Sequence, residues 1–284
     1  MRLFILHRTR YRYSTPVKES FNEVRLQPFS NEHQTCDSFE LRIDPQVAVR
    51  RYQDFYLNWV HHFEITPPHA SLTIESQTRV TTTGANWLDP EATPVPLSVA
   101  PSLARLERCF DYLQSSEFVE NDPMLWRMAL DATAGHTDLW QAAQALNRFV
   151  QAHLTYTPLS THAQTHMRDA LAARVGVCQD FAHVLIGLCR AIQIPALYVS
   201  GYLCTPGAQA SHAWVEIFLP EIGWRALDPT HGRQPDERYV KLAVGRDYAD
   251  VPPVRGNYKG ITRREMEVDV TVTEETGPVV TPAP

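Results

Sequence analysis

The chain has 284 residues, a formal charge of −6 at pH 7, 44% apolar residues and 20% charged residues. This length can bury one sizeable hydrophobic core and a smaller second one, so we expect two structural units. The acidic balance and the lack of a basic run argue against a nucleic-acid partner. No segment approaches the about 18 apolar residues of a membrane span, and the apolar run near the N-terminus is too short for a signal peptide.

The cysteines are odd in number and irregularly spaced. They are Cys36, Cys109, Cys178, Cys189 and Cys204. In a chain of this size, that pattern predicts free thiols rather than a disulfide framework, and it fits a reducing compartment. We therefore predict a cytoplasmic protein. Most of the thiols should be structural, Cys189 and Cys204 among them, which leaves room for one reactive thiol.

Residues 1–83 show the alternation of apolar and polar residues that is typical of strands. The alternation is clearest over residues 10–13, 39–43 and 71–76, with turn-forming segments between them. We predict a small N-terminal antiparallel β-domain over residues 1–83. A linker rich in proline and glycine follows over residues 84–102.

Beyond the linker the pattern predicts a helical connector and a catalytic core over residues 103–260. Apolar residues recur at spacings of three and four in four predicted helices, at residues 103–113, 123–134, 137–153 and 178–193. Predicted strands follow at residues 196–203, 212–219 and 224–227, the last two joined by a hairpin turn at residues 220–223. Residues 245–260 look irregular. Residues 261–272 should form a C-terminal strand, and the tail over residues 273–284 should be disordered.

Cys178 stands at the predicted start of the fourth helix, directly after Gly176 and Val177. Unpaired backbone N–H groups and the positive end of the helix dipole favour a thiolate there, and the thiolate is the nucleophilic form. The N–H of Cys178 could donate to a developing oxyanion, and Gln179 is a candidate for a second donor. Asp180 suits the first turn of a helix and is not predicted to be catalytic.

His212 begins one strand of the predicted hairpin, and Asp228 follows the other. Counting from the turn places His212 close to opposite Asp228, if a bulge is allowed. Directly opposed residues have Cβ atoms about 4.5–5.5 Å apart, within reach of an imidazole–carboxylate hydrogen bond. A base that takes the thiol proton and a carboxylate that orients the base complete the machinery of a cysteine nucleophile.

Three segments together resemble the core motifs of the transglutaminase-like superfamily. They are residues 176–183 (GVCQDFAH), 211–216 (SHAWVE) and 228–230 (DPT). The N-terminal segments HRTRYRY (7–13), RLQP (25–28) and PH (68–69) are similar to the β-region that accompanies this core in bacteria, as is GRDYADVPP (245–253) after the third motif. Residues 54–58 (DFYLN) depart from the pattern, because a glycine is expected before the asparagine.

The resemblance implies an α+β fold with a papain-like core, in which a helix presents Cys178 to a sheet that carries His212 and Asp228. It also implies acyl transfer from glutamine or peptide carbonyls to amines or to water. The substrate would be a protein or peptide, and no cofactor is called for. The alternative is a non-catalytic protein- or peptide-binding module on the same scaffold.

Several other candidate residues could have a structural role instead of a functional one. Tyr156 and Trp214 are candidates to line the cleft, although core packing would explain both. His162 and His166 are four residues apart, with His183 and His231 further along, but residues 161–165 are polar and loop-like and no metal-binding motif is present. We therefore predict no metal site, and no acidic loop is present to receive calcium.

Overall fold

A computed structural model describes residues 1–84, 94–205 and 211–275 of the chain. Its strands are, in chain order, β1 Arg2–Val24, β2 Gln34–Asp44, β3 Arg50–Gln53, β4 Trp59–Ile65, β5 His69–Thr82, β6 Thr155–Tyr156, β7 Val175–Gly176, β8 Ala196–Leu203, β9 Ser211–Leu219, β10 Gly223–Leu227, β11 Tyr239–Gly245, β12 Val254–Lys259 and β13 Arg264–Glu274. Its α-helices are α1 Ala100–Leu103, α2 Glu107–Phe110, α3 Pro123–Ala132, α4 Leu139–His153, α5 Met167–Ala173 and α6 Cys178–Ala191. This mixture confirms the predicted α+β class.

The N-terminal sheet is built around β1, whose alternating side chains are buried along most of its length. Its strand order is β2-β5-β1-β4-β3, and β12 and β13 also pair with β1. The first half of β1 lies between β5 and β13, and the second half lies between β4 and β12. The short strands predicted from alternation are thus parts of much longer ones.

Two predictions of secondary structure from the sequence were wrong. Residues 254–259, predicted to be irregular, form β12, because pairing with β1 overrides a weak local pattern that contains Gly256. The predicted helix over residues 103–113 is broken into α1, α2 and a 3₁₀ turn at Asp111–Leu113. Leu106 is extended between α1 and α2, and the turn it makes lets both Leu103 and Cys109 reach the core.

The predicted linker and tail are only partly described. Residues 85–93 of the linker lie outside the described residues, whereas residues 97–103 form a 3₁₀ turn and α1. Residues 273 and 274 belong to β13 rather than to a disordered tail, and residues 276–284 lie outside the described residues. Within the described ranges, no helix combines the length and the apolarity needed to cross a bilayer.

The turn before β4 explains why a glycine was expected there. Leu57 has φ 64°, the left-handed conformation that glycine adopts at least cost. Asp54 Oδ1 accepts hydrogen bonds from the N–H groups of Tyr56 and Asn58, which closes the turn. The side chain of Asn58 then bonds both the N–H and the C=O of Val244 in β11. This turn therefore ties the N-terminal sheet to the unit of the fold that contains β11.

The second unit of the fold packs α6 against a four-stranded antiparallel sheet of order β10-β9-β8-β11. All of β8 and nearly all of β9 are buried, and so is the body of α6. Asp122 and Asp138 cap α3 and α4 by accepting backbone N–H groups, which fixes the starts of these two helices close to the predicted positions. The parallel pair β6-β7 leads the chain into α6.

Candidate active site

The N-terminus of α6 is held in place by Asp180. Its Oδ2 accepts hydrogen bonds from the N–H of Val177 at 2.8 Å and from the Thr161 hydroxyl at 2.6 Å. A Cβ added to Gly176 would lie 2.6 Å from the Cβ of Asp180, so only glycine fits at this entry to the helix. Cys178 follows as the first helical residue, partly exposed, where unpaired N–H groups and the helix dipole favour negative charge.

The strands place His212 and Asp228 together, although not in the expected register. Val215 pairs with Leu227 and the ladder between β9 and β10 has no bulge, so Asp228 is not directly opposite His212. Asp228 lies just beyond the end of β10, in a short bridge with Arg233. The two side chains still meet, because diagonal neighbours on a sheet are within reach of long side chains. His212 Nε2 lies 2.8 Å from Asp228 Oδ2.

Asp228 is fully buried and accepts hydrogen bonds at both carboxylate oxygens. Oδ2 accepts from His212, from His231 Nδ1 at 2.7 Å and from the Tyr239 hydroxyl at 2.6 Å. Oδ1 accepts from the backbone N–H groups of Thr230 and His231. Burial by itself would raise the pKa of Asp228, but these hydrogen bonds outweigh it and hold the pKa well below its usual value. The carboxylate is therefore ionised and fixed in orientation.

His212 is charged in this environment. Burial by itself would lower the pKa of His212, but hydrogen bonds with Asp228 and Cys178 raise it to about 10. Since Nε2 is bonded to the carboxylate, Nδ1 is left to exchange a proton with the Cys178 thiol. A histidinium beside a thiol stabilises the thiolate. The three residues thus form a continuous chain from sulfur through imidazole to carboxylate.

The other residues predicted to belong to the site lie at different positions around Cys178, His212 and Asp228. Tyr156 is half-exposed and pairs with Gly176, directly before Val177 and Cys178, and it borders the site. Trp214 is buried and packs beside His212 and edge-on to Tyr239, so it supports the imidazole from behind instead of lining an open cleft. The side-chain amide of Gln179 donates one of its two N–H groups to the C=O of Ala163.

The histidines weighed as metal ligands in the sequence have local roles. The ring nitrogens of His162 and His166 each accept a backbone N–H from two residues further along the chain. The described ranges do contain another group of possible metal ligands, formed by His212, Asp228 and His231. Each of these residues offers one ligand atom, and the three atoms lie within 4.8 Å of one another. That group coincides with the hydrogen-bonded chain described above. A metal ion bound there would displace the bond that orients His212.

Sequence reasoning did not connect two neighbours of the site, His231 and Tyr239, with Asp228. His231 follows the third motif by one residue, and its closeness to Asp228 in the chain was the available signal. Tyr239 begins β11, eleven residues after Asp228, and no local pattern connects the two. Only the pairing of β11 with β8 brings its hydroxyl back to the carboxylate.

A helix that presents a cysteine to an antiparallel sheet bearing a histidine and an aspartate defines the class of papain-like thiol proteins. Comparison with known proteins narrows this class. Residues 3–81 match the bacterial transglutaminase-like N-terminal region, and residues 127–229 match the transglutaminase-like superfamily. The chain belongs to this superfamily.

Relatives and solved structures agree with that assignment. An uncharacterised protein of Mycobacterium leprae is 33% identical over 281 residues, which covers 96% of this chain and 98% of that protein. A protein-glutamine gamma-glutamyltransferase of Pseudomonas aeruginosa is 32% identical over 136 residues, 42% of this chain and 20% of that protein. A candidate cysteine protease from Cytophaga hutchinsonii has a similar fold, with a TM-score of 0.78, 22% identity and coverage of 98% and 92% of the two chains.

Proposed function

We propose that the protein is a cysteine-dependent enzyme that cleaves or transfers the acyl group of a glutamine carboxamide or peptide bond through a thioester. The observation that carries the proposal is the hydrogen-bonded chain of Cys178, His212 and Asp228 at the start of α6. The gamma-glutamyltransferase among the relatives supports acyl chemistry. The substrate would be a protein or a peptide.

The proposed reaction starts with attack by the Cys178 thiolate on the carbonyl carbon. The N–H of Cys178 would stabilise the oxyanion, because it is the first N–H of α6 and has no helical partner. When the C–N bond breaks, the His212 imidazolium gives its proton to the departing nitrogen, which leaves as ammonia or an amine. The acyl group remains on sulfur as a thioester.

The second half of the reaction resolves the thioester. Neutral His212 takes a proton from water or from an amine, which attacks the thioester carbon and releases the thiolate. Asp228 stabilises the imidazolium that forms again. Water is the acceptor we favour, because Tyr156 is 51% exposed and the His231 side chain is 41% exposed beside the site.

Two measurements test the proposal. Iodoacetamide should label Cys178 of the native protein much faster than it labels Cys204, which is also partly exposed but lies at the end of β8. Incubation with a glutamine-containing protein and a fluorescent amine, with release of ammonia and of peptides followed in parallel, should show turnover that Cys178→Ala abolishes. If Cys178 reacts no faster than Cys204 and broad substrate panels give no product, the enzyme proposal fails.

A further inference from the structure

An open groove of about 830 Å³ lies in the N-terminal sheet, within the range of about 300–1,000 Å³ that is usual for ligand sites. Its lining comes entirely from residues between Gln27 and His61, so none of the site residues described above contributes to it. The lining mixes apolar, aromatic and polar side chains, with Arg51 and Asp37 as its charged groups. The groove is therefore a separate feature of the molecule.

The groove lies between the two ends of the N-terminal sheet. The strand order β2-β5-β1-β4-β3 makes β2 and β3 the terminal strands, and residues of both line the groove. The sheet curls enough for Phe39 of β2 to contact His61 of β4, with ring centroids 5.1 Å apart. The sheet thus forms an open barrel, and the groove is the place where one more strand would close it.

Both walls of the groove offer unpaired strand edges. Over the described part of the chain, β2 pairs with β5 alone and β3 pairs with β4 alone. At the start of β2, the Ser30 hydroxyl accepts the N–H of Cys36, but β2 continues to Asp44. An eleven-residue edge strand is normally covered or blocked, because its free N–H and C=O groups pair readily with other extended chains.

The floor of the groove contains a buried polar atom that has no partner among the described residues. This atom is Nδ1 of His61, a side chain that is 6% exposed. Burial lowers the pKa of His61 to about 4, so the ring is neutral and offers one donor and one acceptor. Beside it, the Arg51 guanidinium lies 3.6 Å above the ring of Trp59, where its N–H groups can meet carbonyl oxygens. A peptide backbone supplies partners for both groups.

We propose that this groove binds an extended segment of polypeptide, which adds as a strand along β2 and directs alternate side chains towards Phe39 and Leu41. Backbone hydrogen bonds would provide most of the recognition, so binding would tolerate many sequences. The mixed charges of the lining favour a peptide over a polyanion. The proposal does not depend on the thiol chemistry of Cys178, and the two can fail separately.

Hydrogen exchange of the full-length Cys178→Ala variant tests this proposal without turnover. The probe is β-casein, which is unfolded in solution. We expect saturating β-casein to slow exchange of the amides of β2 and β3, while the amides of β12 and β13 keep their rates. No change in β2 and β3, or protection confined to other strands, would overturn the proposal.

A matched pair of valine substitutions distinguishes binding in the groove from nonspecific binding. Val49 lines the groove and is 38% exposed, whereas Val268 is 44% exposed on β13 and does not line it. In the Cys178→Ala background, Val49→Asp should weaken β-casein binding at least about tenfold, and Val268→Asp should leave it unchanged. Equal affinities of the two variants, or complete competition by heparin, would contradict strand addition.

Discussion

His212 and His231 donate to the same oxygen atom, Oδ2 of Asp228, at 2.8 and 2.7 Å. Their ring centroids are 5.3 Å apart, and His231 is the more exposed of the two. The carboxylate that orients the proposed base is therefore itself oriented by a second histidine and by Tyr239. This arrangement links the stability of the site to its chemistry, because the same buried hydrogen bonds serve both.

Tyr239→Phe removes one donor from a buried carboxylate and leaves the ring in place. A hydrogen bond to a charged group contributes about 1.5–3 kcal/mol, so we expect a loss of that size in the free energy of unfolding. Urea denaturation measures it. Tyr52→Phe is the control, because Tyr52 also donates to a carboxylate, that of Glu23, but is 42% exposed. Equal losses in the two variants would show that burial of Asp228 does not strengthen the contribution of this hydrogen bond to stability.

Asp228→Asn keeps the shape of the side chain but removes its charge. The amide no longer stabilises the His212 imidazolium, so turnover should fall by about 10²–10⁴-fold, with slower alkylation of Cys178. Asp236→Asn is the matched control, because Asp236 likewise accepts from a backbone N–H two residues later, although its charged partner is Arg238 and not a histidine. Unchanged alkylation in Asp228→Asn would exclude Asp228 from activating the thiol.

The stability of the protein should depend on pH through His212. Its pKa is raised from 6.5 to about 10 in the folded protein. Its contribution to the free energy of unfolding is therefore complete below pH 6.5 and is lost as the pH rises through 10. Asp228 affects stability at acid pH. Because its pKa is depressed in the folded protein, its contribution to the free energy of unfolding is lost as the pH falls below 3.8. Urea denaturation between pH 6 and 10 should show the alkaline loss. The loss should be smaller in His212→Gln, and an identical slope in both proteins would contradict the assignment.

Gly176→Ala should disturb the presentation of Cys178. The added Cβ would meet Asp180 at 2.6 Å, and overpacking of this kind costs about 1–3 kcal/mol. We expect a lower melting temperature and slower alkylation of Cys178. Gly84→Ala is the control, because its Cβ would make only an ordinary contact of 3.4 Å with Glu237. Alkylation at the normal rate in Gly176→Ala would show that the entry to α6 tolerates a side chain.

Zinc should inhibit the proposed activity reversibly. The ligand atoms of His212, Asp228 and His231 lie within 4.8 Å of one another, close enough to bind one ion together. Zn²⁺ would occupy the imidazole that the reaction needs, and EDTA should restore activity. His231→Phe should be inhibited less than the unsubstituted protein. Equal sensitivity of the two proteins would mean that zinc acts at Cys178 without His231.

The sequence alone was sufficient for the fold class and for the elements with strong local signals. The period of apolar residues located α4 and α6, and the alternation in the N-terminal region indicated a sheet. The motifs around Cys178, His212 and Asp228 were found because each includes a short local pattern, and their order along the chain indicated the superfamily. These features could be predicted because they depend on neighbours in the sequence.

Tertiary structure alone decided the features that depend on contacts between distant segments. Pairing with β1 turned residues 254–259 into a strand, and the actual register of β9 and β10 moved Asp228 away from the position opposite His212. The hydroxyl of Tyr239 reaches the carboxylate only because β11 returns beside β8. Local sequence does not encode such pairings, since hydrogen bonds between strands are available to any extended segment and packing selects among them.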